Sequence, residues 1–437
     1  FFMKILLIEQ LKRSHRSSSL FLTRYLTTFA ILPTLYIRRL AAITPSQHHV
    51  TILNERYHPL PINDEYDLVV IHYTTSFSSI AYAVADTFRK KGTTVILCGL
   101  HASALPDEAL THADAVLIGR GEYNWLTLLN DIKHHQLKKI YPPEPHNMTT
   151  CRIPPTNVNL PGFVLMGAID ATRGCPYNCS FCPEGNTPYK NQFYARPVDQ
   201  VIDEIREIPQ KIIMFYDLSL TINPEYTKEL FTKMIPMHKH FFCNGNIDVL
   251  SQDSELVRLS KQAGCIGWLV GFESFDQKTL NAVGKTTNRV EQYEKTVNLI
   301  HSYHMIVIGD FMFGFDHDTK NVFDNTLFML QKLRIDAADF TILTPFPGTA
   351  LFNQLKEEGR ILTTDWQQYT MFNPVFKPKH MTPEQLQQGV YSLYQRFYSP
   401  KNTMYRLART LPLGIYPFMS AAARNVLTSL NTMFFTK

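Results

Sequence analysis

Segments rich in β-branched residues alternate with segments of helical period along most of this chain, and this alternation restricts its fold more than any other feature. In the first part of the chain, strands are predicted at 4–8, 50–53, 68–72, 94–98 and 115–118, and helices at 20–42, 77–91 and 123–134. Such alternation predicts a parallel sheet with helices on both faces. We therefore expect a doubly wound, Rossmann-like α/β domain over residues 1–138.

Prolines interrupt the alternation in the middle of the chain. They occur in Tyr141-Pro142-Pro143, Ile153-Pro154-Pro155 and Leu160-Pro161-Gly162. Proline lacks a backbone donor and fixes φ, so regular elements are disfavoured there. Residues 139–165 are predicted to form a linker.

A second alternating region follows this linker. Strands are predicted at 166–171, 211–215, 240–243, 267–271, 306–313 and 339–343, and helices at 198–208, 225–236, 254–262, 289–303 and 320–333. Six strand–helix units predict a partial (β/α)6 barrel over residues 166–380. A C-terminal helical region is expected over 381–437, with helices at 383–398 and 404–435 that either pack over the barrel or form an apolar lid for a lipid-like substrate.

Charge and hydropathy exclude several classes of protein. The 43 Lys and Arg exceed the 38 Asp and Glu by only five, and no block of like charge occurs, so no nucleic-acid partner is predicted. The apolar segment 20–42 contains Arg24, Pro33, Arg38 and Arg39, which predicts no transmembrane helix. The first eight residues are typical of a buried strand and not of a signal peptide, so a cytoplasmic location is expected, with at most weak contact to a membrane surface.

Three of the seven cysteines lie within eight residues, in a Pro/Gly/Asn-rich loop after the first strand of the second region. Their spacing, Cys175-x3-Cys179-x2-Cys182, allows the three thiolates to converge. A closed zinc site needs four ligands, and no Cys or His occurs between Cys182 and His238. Three cysteines suit a 4Fe-4S cluster with one open iron. The alternatives are a zinc-stabilised module and three unliganded cysteines.

The loop resembles the signature of the radical S-adenosylmethionine (SAM) enzymes, including the aromatic residue Phe181 before the last cysteine. The resemblance implies that Cys175, Cys179 and Cys182 bind the cluster, that SAM chelates the open iron, and that Phe181 packs near the adenine. It also implies that an electron, from a donor such as flavodoxin or ferredoxin, cleaves SAM to methionine and a 5'-deoxyadenosyl radical.

Two later segments are similar to SAM-binding motifs of the same family. Asp217 ends a predicted strand, where the family places a group that meets the SAM amino nitrogen; an Asp at a strand end is also a common helix N-cap. Glu273 and Ser274 resemble the pair beside the SAM ribose, and Gly271 before them permits close approach to a ligand.

A third segment resembles the fifth-strand motif, which lies along the adenine in this family. Asp310 and Gly314 are the candidate residues there. The segment departs from the usual pattern because Asp316 and His317 replace the common Pro and Gly.

In a doubly wound domain, ligands bind at the carboxyl ends of the strands. The candidate residues in the loops after the predicted strands are Thr74, Gly99, His101, Gly119, Gly121 and Glu122. No G-x-G-x-x-G or P-loop is found, which disfavours a nicotinamide cofactor or a nucleotide triphosphate. The order of elements resembles the cobalamin-binding domain that precedes the barrel in one subclass of radical SAM enzymes, although no Asp-x-His-x-x-Gly motif occurs. Alternatively, the domain is vestigial or holds the substrate.

His101 has two interpretations. It either faces the corrin or substrate, or is a solvated or capping residue of a surface loop.

The resemblance implies a cobalamin-dependent radical SAM methyltransferase that acts on an unactivated carbon or phosphorus centre of a small-molecule or lipid-like substrate. Within the family, the alternative is non-methylating chemistry such as cyclisation, oxidation or rearrangement. Outside it, the alternative is a cluster- or zinc-bearing sensor or binding protein.

Overall fold

The computed structural model describes residues 1–11, 35–55, 58–143, 165–186 and 193–432. Two six-stranded parallel sheets and one short antiparallel hairpin make up the strands of this part of the chain. The first part of the predicted helix 20–42, most of the predicted linker and Cys151 lie outside the described residues.

The first sheet lies in the N-terminal region and confirms the doubly wound α/β prediction. Its strands are β1 (Lys4–Gln10), β2 (His49–Asn54), β3 (Leu68–His72), β4 (Thr94–Cys98), β5 (Ala115–Leu117) and β6 (Ile140–Tyr141). They are parallel in the order β2-β1-β3-β4-β5-β6, with helices α1 (Leu35–Ile43), α2 (Ser78–Arg89), α3 (Leu100–Ala104), α4 (Pro106–Leu110) and α5 (Glu122–Lys133) between them. Strand β6 lies at the start of the range predicted as a linker and pairs with β5.

The second sheet is the six-stranded core of the partial barrel. Its strands are β7 (Met166–Ile169), β10 (Ile212–Phe215), β11 (His240–Asn244), β12 (Cys265–Glu273), β13 (Ile306–Phe313) and β14 (Ala337–Ile342), parallel in the order β14-β13-β12-β11-β10-β7. Two short antiparallel strands that were not predicted flank the cysteine loop. They are β8 (Thr172–Gly174), which precedes the loop, and β9 (Phe193–Ala195), which follows it.

Helices follow the strands of the barrel and cover its outer face. They are α6 (Pro183–Asn186), α7 (Val198–Glu207), α8 (Pro224–Met234), α9 (Ile247–Leu250), α10 (Ser254–Gln262), α11 (Gln277–Ala282), α12 (Tyr293–Ser302), α13 (Val322–Lys332) and α14 (Ala350–Glu357). The helix predicted at 289–303 begins as a 3-10 turn, Val290–Gln292, before α12.

The C-terminal region consists of α15 (Pro383–Phe397), α16 (Pro400–Thr410) and α17 (Ile415–Thr432). The single helix predicted at 404–435 is wrong, because a 3-10 turn, Leu411–Leu413, separates two helices. Pro412 has no backbone donor and Gly414 has a φ of +108°, and both features end a helix.

Helix α17 packs on the inner face of the barrel sheet. Ala421 is fully buried with Ile266, Ile306, Ile308 and Ala337, whose side chains point away from the outer helices. The packing interpretation is therefore confirmed for this side of the helix, while Ile415 and Met419 remain exposed. Among the described residues, no helix is long and apolar enough to cross a membrane.

Arg406 of α16 forms hydrogen bonds with α17 and α15. Its guanidinium donates to Asn425 Oδ1 (2.7 and 2.9 Å) and to the Phe397 carbonyl (2.6 Å), and Asn425 donates to the Asp336 carbonyl at 2.9 Å. Burial lowers the pKa of Arg406 to about 10, so the group stays charged at neutral pH.

We expect Arg406→Met to lower the local opening free energy of α17 by about 2–3 kcal/mol, because it removes charge-assisted hydrogen bonds from a buried site. Amide hydrogen exchange of residues 415–432 measures this loss. Arg409→Met, which removes a cation 5.2 Å from the Tyr405 ring, is the matched control and should change exchange little. Equal effects of the two variants would contradict the assignment.

Candidate functional site

The cysteine loop is a compact turn between β8 and α6. The Cys179 side chain is buried, whereas Cys175 and Cys182 are partly exposed. Asn186 Nδ2 donates to the carbonyls of Cys179 (2.9 Å) and Cys182 (2.7 Å). A Cβ on Gly185 would lie 2.7 Å from the Tyr177 carbonyl oxygen, so only glycine allows the turn to close. The backbone thus holds the three thiols in one segment.

The thiols sit in a low-dielectric environment beside one buried cation. Burial raises the pKa of Cys179 to about 11, and raises those of Cys175 and Cys182, while the Lys285 ammonium opposes the shift at Cys179. In the part of the chain that the structure describes, no three Cys, His, Asp or Glu side chains converge on a single metal ion. A 4Fe-4S cluster with one open iron requires a different arrangement, in which one thiolate binds each of three irons. A loop with three cysteines can supply these thiolates.

Lys285 and Glu273 form an ion pair at the carboxyl end of β12. The Lys285 Nζ to Glu273 Oε1 distance is 2.9 Å, and Glu273 has a φ of +63°. Burial lowers the pKa of Lys285, but the Glu273 carboxylate and the nearby thiols raise it more, so the ammonium is retained. A Cβ on Gly271 would lie 2.7 Å from Glu273 Oε1, so the missing side chain makes room for the pair.

Hydrogen bonds from the next two elements fix the backbone at this strand end. Asn288 Nδ2 donates to the carbonyls of Gly271 (2.8 Å) and Phe272 (3.0 Å). The Tyr293 hydroxyl donates to the Phe272 carbonyl (2.8 Å) or the Ser274 carbonyl (3.1 Å). Ser274 Oγ accepts from the Asp276 amide, so this serine also orders the turn after the strand.

Gly314 and Phe315 follow the end of β13, where Phe181 packs against Phe315. Gly314 has a φ of +104°, and its amide donates to Asp318 at 2.8 Å, as does that of Phe315 at 3.0 Å. The Phe181 and Phe315 rings contact edge to face. Burial raises the pKa of Asp318 to about 7. Asp318 was not predicted as a site residue. The pattern that could have identified it is a carboxylate four residues after a glycine at a strand end, which is typical of a side chain that caps a turn.

Asp217 accepts hydrogen bonds from the segment that follows β7. Its carboxylate accepts hydrogen bonds from the Ala171 amide (3.0 Å) and from the Thr172 amide and hydroxyl (2.6 Å for the hydroxyl). Burial and the Asp170 carboxylate raise its pKa to about 7. The N-cap alternative is wrong, because Ser219 and Asn223 cap the following helical turns. A role in SAM binding stays a prediction.

Asp310 faces the interior of the barrel. It lies in register with Gly271 on β12 and Asp339 on β14. Arg424 of α17 forms an ion pair with Asp339. Burial and the Asp339 carboxylate raise the pKa of Asp310 to about 8. A neutral carboxyl group therefore stands between the Glu273–Lys285 and Asp339–Arg424 pairs.

A cavity of about 260 Å³ lies between the carboxyl edge of the first sheet and the barrel. Four predicted first-domain residues line it: Thr74, Gly99, Gly119 and Glu122. From the barrel side it is lined by Asp170, Thr172, Arg173, Glu184, Tyr216 and Leu218. Gly99 has a φ of +108°, and a Cβ there would lie 2.4 Å from the Tyr73 carbonyl, so the loop after β4 has no room for a side chain. Ligand pockets usually measure about 300–1,000 Å³, so a corrin requires this cavity to widen.

Two other predicted residues do not line this cavity. Gly121, with a φ of +67°, shapes the turn before α5, because a Cβ there would lie 2.4 Å from Leu117 Cδ2. His101 is fully buried in α3, so the interpretation as a solvated loop residue is wrong. Its Nε2 lies 3.3 Å from Glu108 Oε1.

The surroundings of His101 join the two domains. Its ring packs against Tyr73, Tyr82 and Trp366, and the Trp366 indole donates to Glu108 at 3.2 Å. Burial lowers the pKa of His101, although Glu108 opposes this shift. A direct role in binding a cofactor stays a prediction.

The sequence of this chain is similar to families and proteins that are already known. The Radical SAM superfamily matches residues 169–330, and a domain of unknown function (DUF4070) matches residues 349–434. Bacteriochlorophyllide d C-12(1)-methyltransferase of Chlorobaculum tepidum is 31% identical, over 84% of this chain and 83% of that protein. The C-8(2)-methyltransferase of the same organism is 30% identical, over 84% and 86%.

This chain is a radical SAM enzyme. It belongs to the subclass in which a cobalamin-binding-like domain precedes the barrel. The fold is similar to a solved structure of the radical SAM methyltransferase TsrM from Kitasatospora setae, with a TM-score of 0.70 and 13% identity over 99% of this chain and 100% of that one.

The raised pKa of Asp310 predicts a pH-dependent contribution to the stability of this radical SAM barrel. The folded state retains a proton that the unfolded chain loses above about pH 4, so stability falls as the pH rises toward 8. Asp310→Asn should therefore raise the melting temperature more at about pH 8.5 than at about pH 5.

The matched control is Asp324→Asn, which removes an exposed carboxylate paired with Arg396. Its effect should vary little over this pH range. A pH-independent effect of Asp310→Asn would show that the group is ionised in the folded enzyme.

Proposed function

We propose that this enzyme is a cobalamin-dependent methyltransferase acting on an unactivated carbon atom of a large, apolar small-molecule substrate. One observation carries the proposal. Arg173 and Glu184, which flank the cysteine loop, and the loops at the carboxyl edge of the first sheet line the same cavity from opposite sides. An active site between two such domains would bring both cofactors to one substrate.

The bound groups supply the chemistry: reductive cleavage of SAM to a 5'-deoxyadenosyl radical, and a methyl group carried by the corrin. The chain supplies placement and charge. The three cysteines hold the cluster, and the Asn186 amide keeps two of their carbonyls in place. The buried Lys285 ammonium balances part of the negative charge of a thiolate-bound cluster.

The candidate SAM site extends from the cysteine loop along the ends of β12 and β13. Glu273 is held in place by Lys285 and is a candidate acceptor for ribose hydroxyls, with Ser274 beside it. Phe181 and Gly314 would contact the adenine, since Phe181 packs on Phe315 and Gly314 presents backbone without a side chain. Asp217 supports the site indirectly by fixing the Ala171–Thr172 backbone.

The candidate corrin site is the interdomain cavity. Thr74 offers a hydroxyl, Gly99 and Gly119 allow close approach of backbone, and Glu122 is already paired with Arg173. The TsrM structure has cobalamin and a [4Fe-4S] cluster bound, which supports the proposal that this chain binds both groups.

The substrate class proposed is a bacteriochlorophyllide-like tetrapyrrole. The two curated relatives described above are named as methyltransferases of bacteriochlorophyllide d. The inner face of the barrel offers the partly exposed apolar side chains of Met214 and Leu269 for such a macrocycle. Asp310 is a neutral hydrogen-bond donor on the same face for a carbonyl group of the pigment.

The test is anaerobic reconstitution with iron, sulfide and hydroxocobalamin, followed by turnover with SAM, a reductant such as reduced flavodoxin, and a bacteriochlorophyllide. Methyl transfer should yield S-adenosylhomocysteine together with 5'-deoxyadenosine and a product heavier by one methylene. 5'-Deoxyadenosine with an altered but unmethylated product would instead establish the non-methylating alternative.

Replacing Cys175, Cys179 and Cys182 by Ala should abolish SAM cleavage, because no thiolate remains for the cluster. Cys243→Ala is the matched control, since Cys243 is a buried cysteine of β11 that packs with the outer helices. The control should retain cleavage. SAM cleavage by the triple variant would overturn the cluster assignment.

A further inference from the structure

One turn of the first domain contacts both ends of the cysteine loop. The turn, residues 119–122, follows β5. Glu122 Oε1 accepts from Arg173 Nη1 at 2.9 Å, and Arg173 lies two residues before the first cysteine. Arg120 Nη2 lies 3.4 Å from Glu184 Oε2, and Glu184 lies two residues after the last cysteine. The loop is therefore held from the neighbouring domain on both of its flanks.

The two contacts differ in burial. The Arg173 and Glu122 side chains are 2% and 3% exposed, whereas those of Arg120 and Glu184 are each 23% exposed. A buried ion pair constrains geometry strongly, because separating its partners leaves uncompensated charge in a low dielectric. The Arg120–Glu184 contact is more exposed, so it can be broken without leaving an unpaired charge in the interior.

A charge-balanced cluster fixes the inner contact. Asp170, at the end of β7, accepts from Arg173 Nε at 2.9 Å and also pairs with Arg39 of α1. Arg39 lies 3.9 Å from Glu122. Arg39 and Glu122 of the first domain thus meet Arg173 and Asp170 of the second at the entry to the cysteine loop. Arg196, whose Nη1 lies 3.6 Å from Asp170 Oδ1, is balanced by Glu204 at 2.7 Å. Movement of the turn away from Arg173 would leave buried charges unpaired.

The same turn forms part of the interdomain cavity. Gly119, Arg120 and Glu122 all line it. On the first-domain side, the Gly119 amide donates to Ser103 Oγ at 2.9 Å, and Ser103 lines the cavity as well. A corrin that widens the cavity would press on residues that hold the cysteine loop.

We infer that Glu122 and Arg120 are positioning residues that couple occupancy of the interdomain cavity to the geometry of the cluster loop. This inference rests on the proposed function, since it takes the occupant to be a corrin. A corrin packed against the turn adds contacts that favour the arrangement in which Glu122 and Arg120 hold both flanks of the loop, and this arrangement receives SAM. Corrin and SAM therefore bind with positive cooperativity, and by linkage each strengthens the other by the same factor.

The experiment measures the dissociation constant of SAM for cluster-reconstituted full-length protein, with and without saturating hydroxocobalamin, by equilibrium dialysis. It needs no turnover. In the unaltered protein, hydroxocobalamin should tighten SAM binding about fivefold or more. In Glu122→Gln and Arg120→Gln this factor should fall toward one, with the cobalamin dissociation constant showing the reciprocal loss.

The matched control is Arg89→Gln. Arg89 pairs with Asp114 in the same domain at 3.3 Å, with side chains 33% and 32% exposed, so it resembles the Arg120 contact but lies outside the cavity lining. It should keep the full coupling. Since Glu122→Gln disturbs a buried cluster, Arg120→Gln decides the outcome if the former fails to fold.

The outcomes separate this inference from the proposed function. Absence of cobalamin binding to the unaltered protein would overturn both. Cobalamin binding with no effect on SAM affinity, or coupling that survives in Arg120→Gln and Glu122→Gln, would overturn the positioning role alone.

Discussion

The buried ion-pair cluster of Arg39, Arg173, Asp170 and Glu122 is the interaction on which the arrangement of the two sheets depends. Each guanidinium is nearly inaccessible to water and contacts a carboxylate from the opposite domain. Burial lowers the pKa of Arg39, while the Asp170 and Glu122 carboxylates favour its charged form. Removing one member of such a cluster leaves a buried, unpaired charge, which costs about 3–5 kcal/mol. The cluster thus joins the first domain to the start of the cysteine loop.

Polar groups and close-packed glycines lie at the carboxyl edges of both parallel sheets. In the first sheet the loops after β3, β4 and β5 supply Thr74, Gly99 and Gly119. In the barrel the ends of β12 and β13 supply the Glu273–Lys285 pair and the Asp318-stabilised turn at Gly314. Loops at these edges carry function while the strands beneath them form a rigid core. These two edges are where a methyltransferase of this class would bind its cofactors and substrate.

The architecture could be predicted from the sequence because parallel strands buried on both faces form distinct apolar runs, such as Leu68–His72 and Ile306–Phe313, whose predicted bounds are confirmed. The β8–β9 hairpin escaped prediction because its three-residue strands carry no periodicity. In the site, the cysteines were evident from spacing. Contacts between residues far apart in the sequence were not evident, because they depend on how the elements pack. They include the contacts of Lys285 and Asp318 and the Arg173–Glu122 ion pair. The burial of His101 and the hydrogen bonds of Asp217 depend on packing in the same way.

Pulsed electron paramagnetic resonance tests most directly whether a cluster and a corrin face each other across one interdomain cavity. In protein reconstituted with iron, sulfide and cobalamin, both the reduced cluster and cob(II)alamin are paramagnetic. A strong dipolar interaction between the two spins, lost when Cys175, Cys179 and Cys182 are replaced by Ala, is the predicted result. Two fully formed signals in one molecule with no dipolar interaction would place the groups far apart and contradict the account.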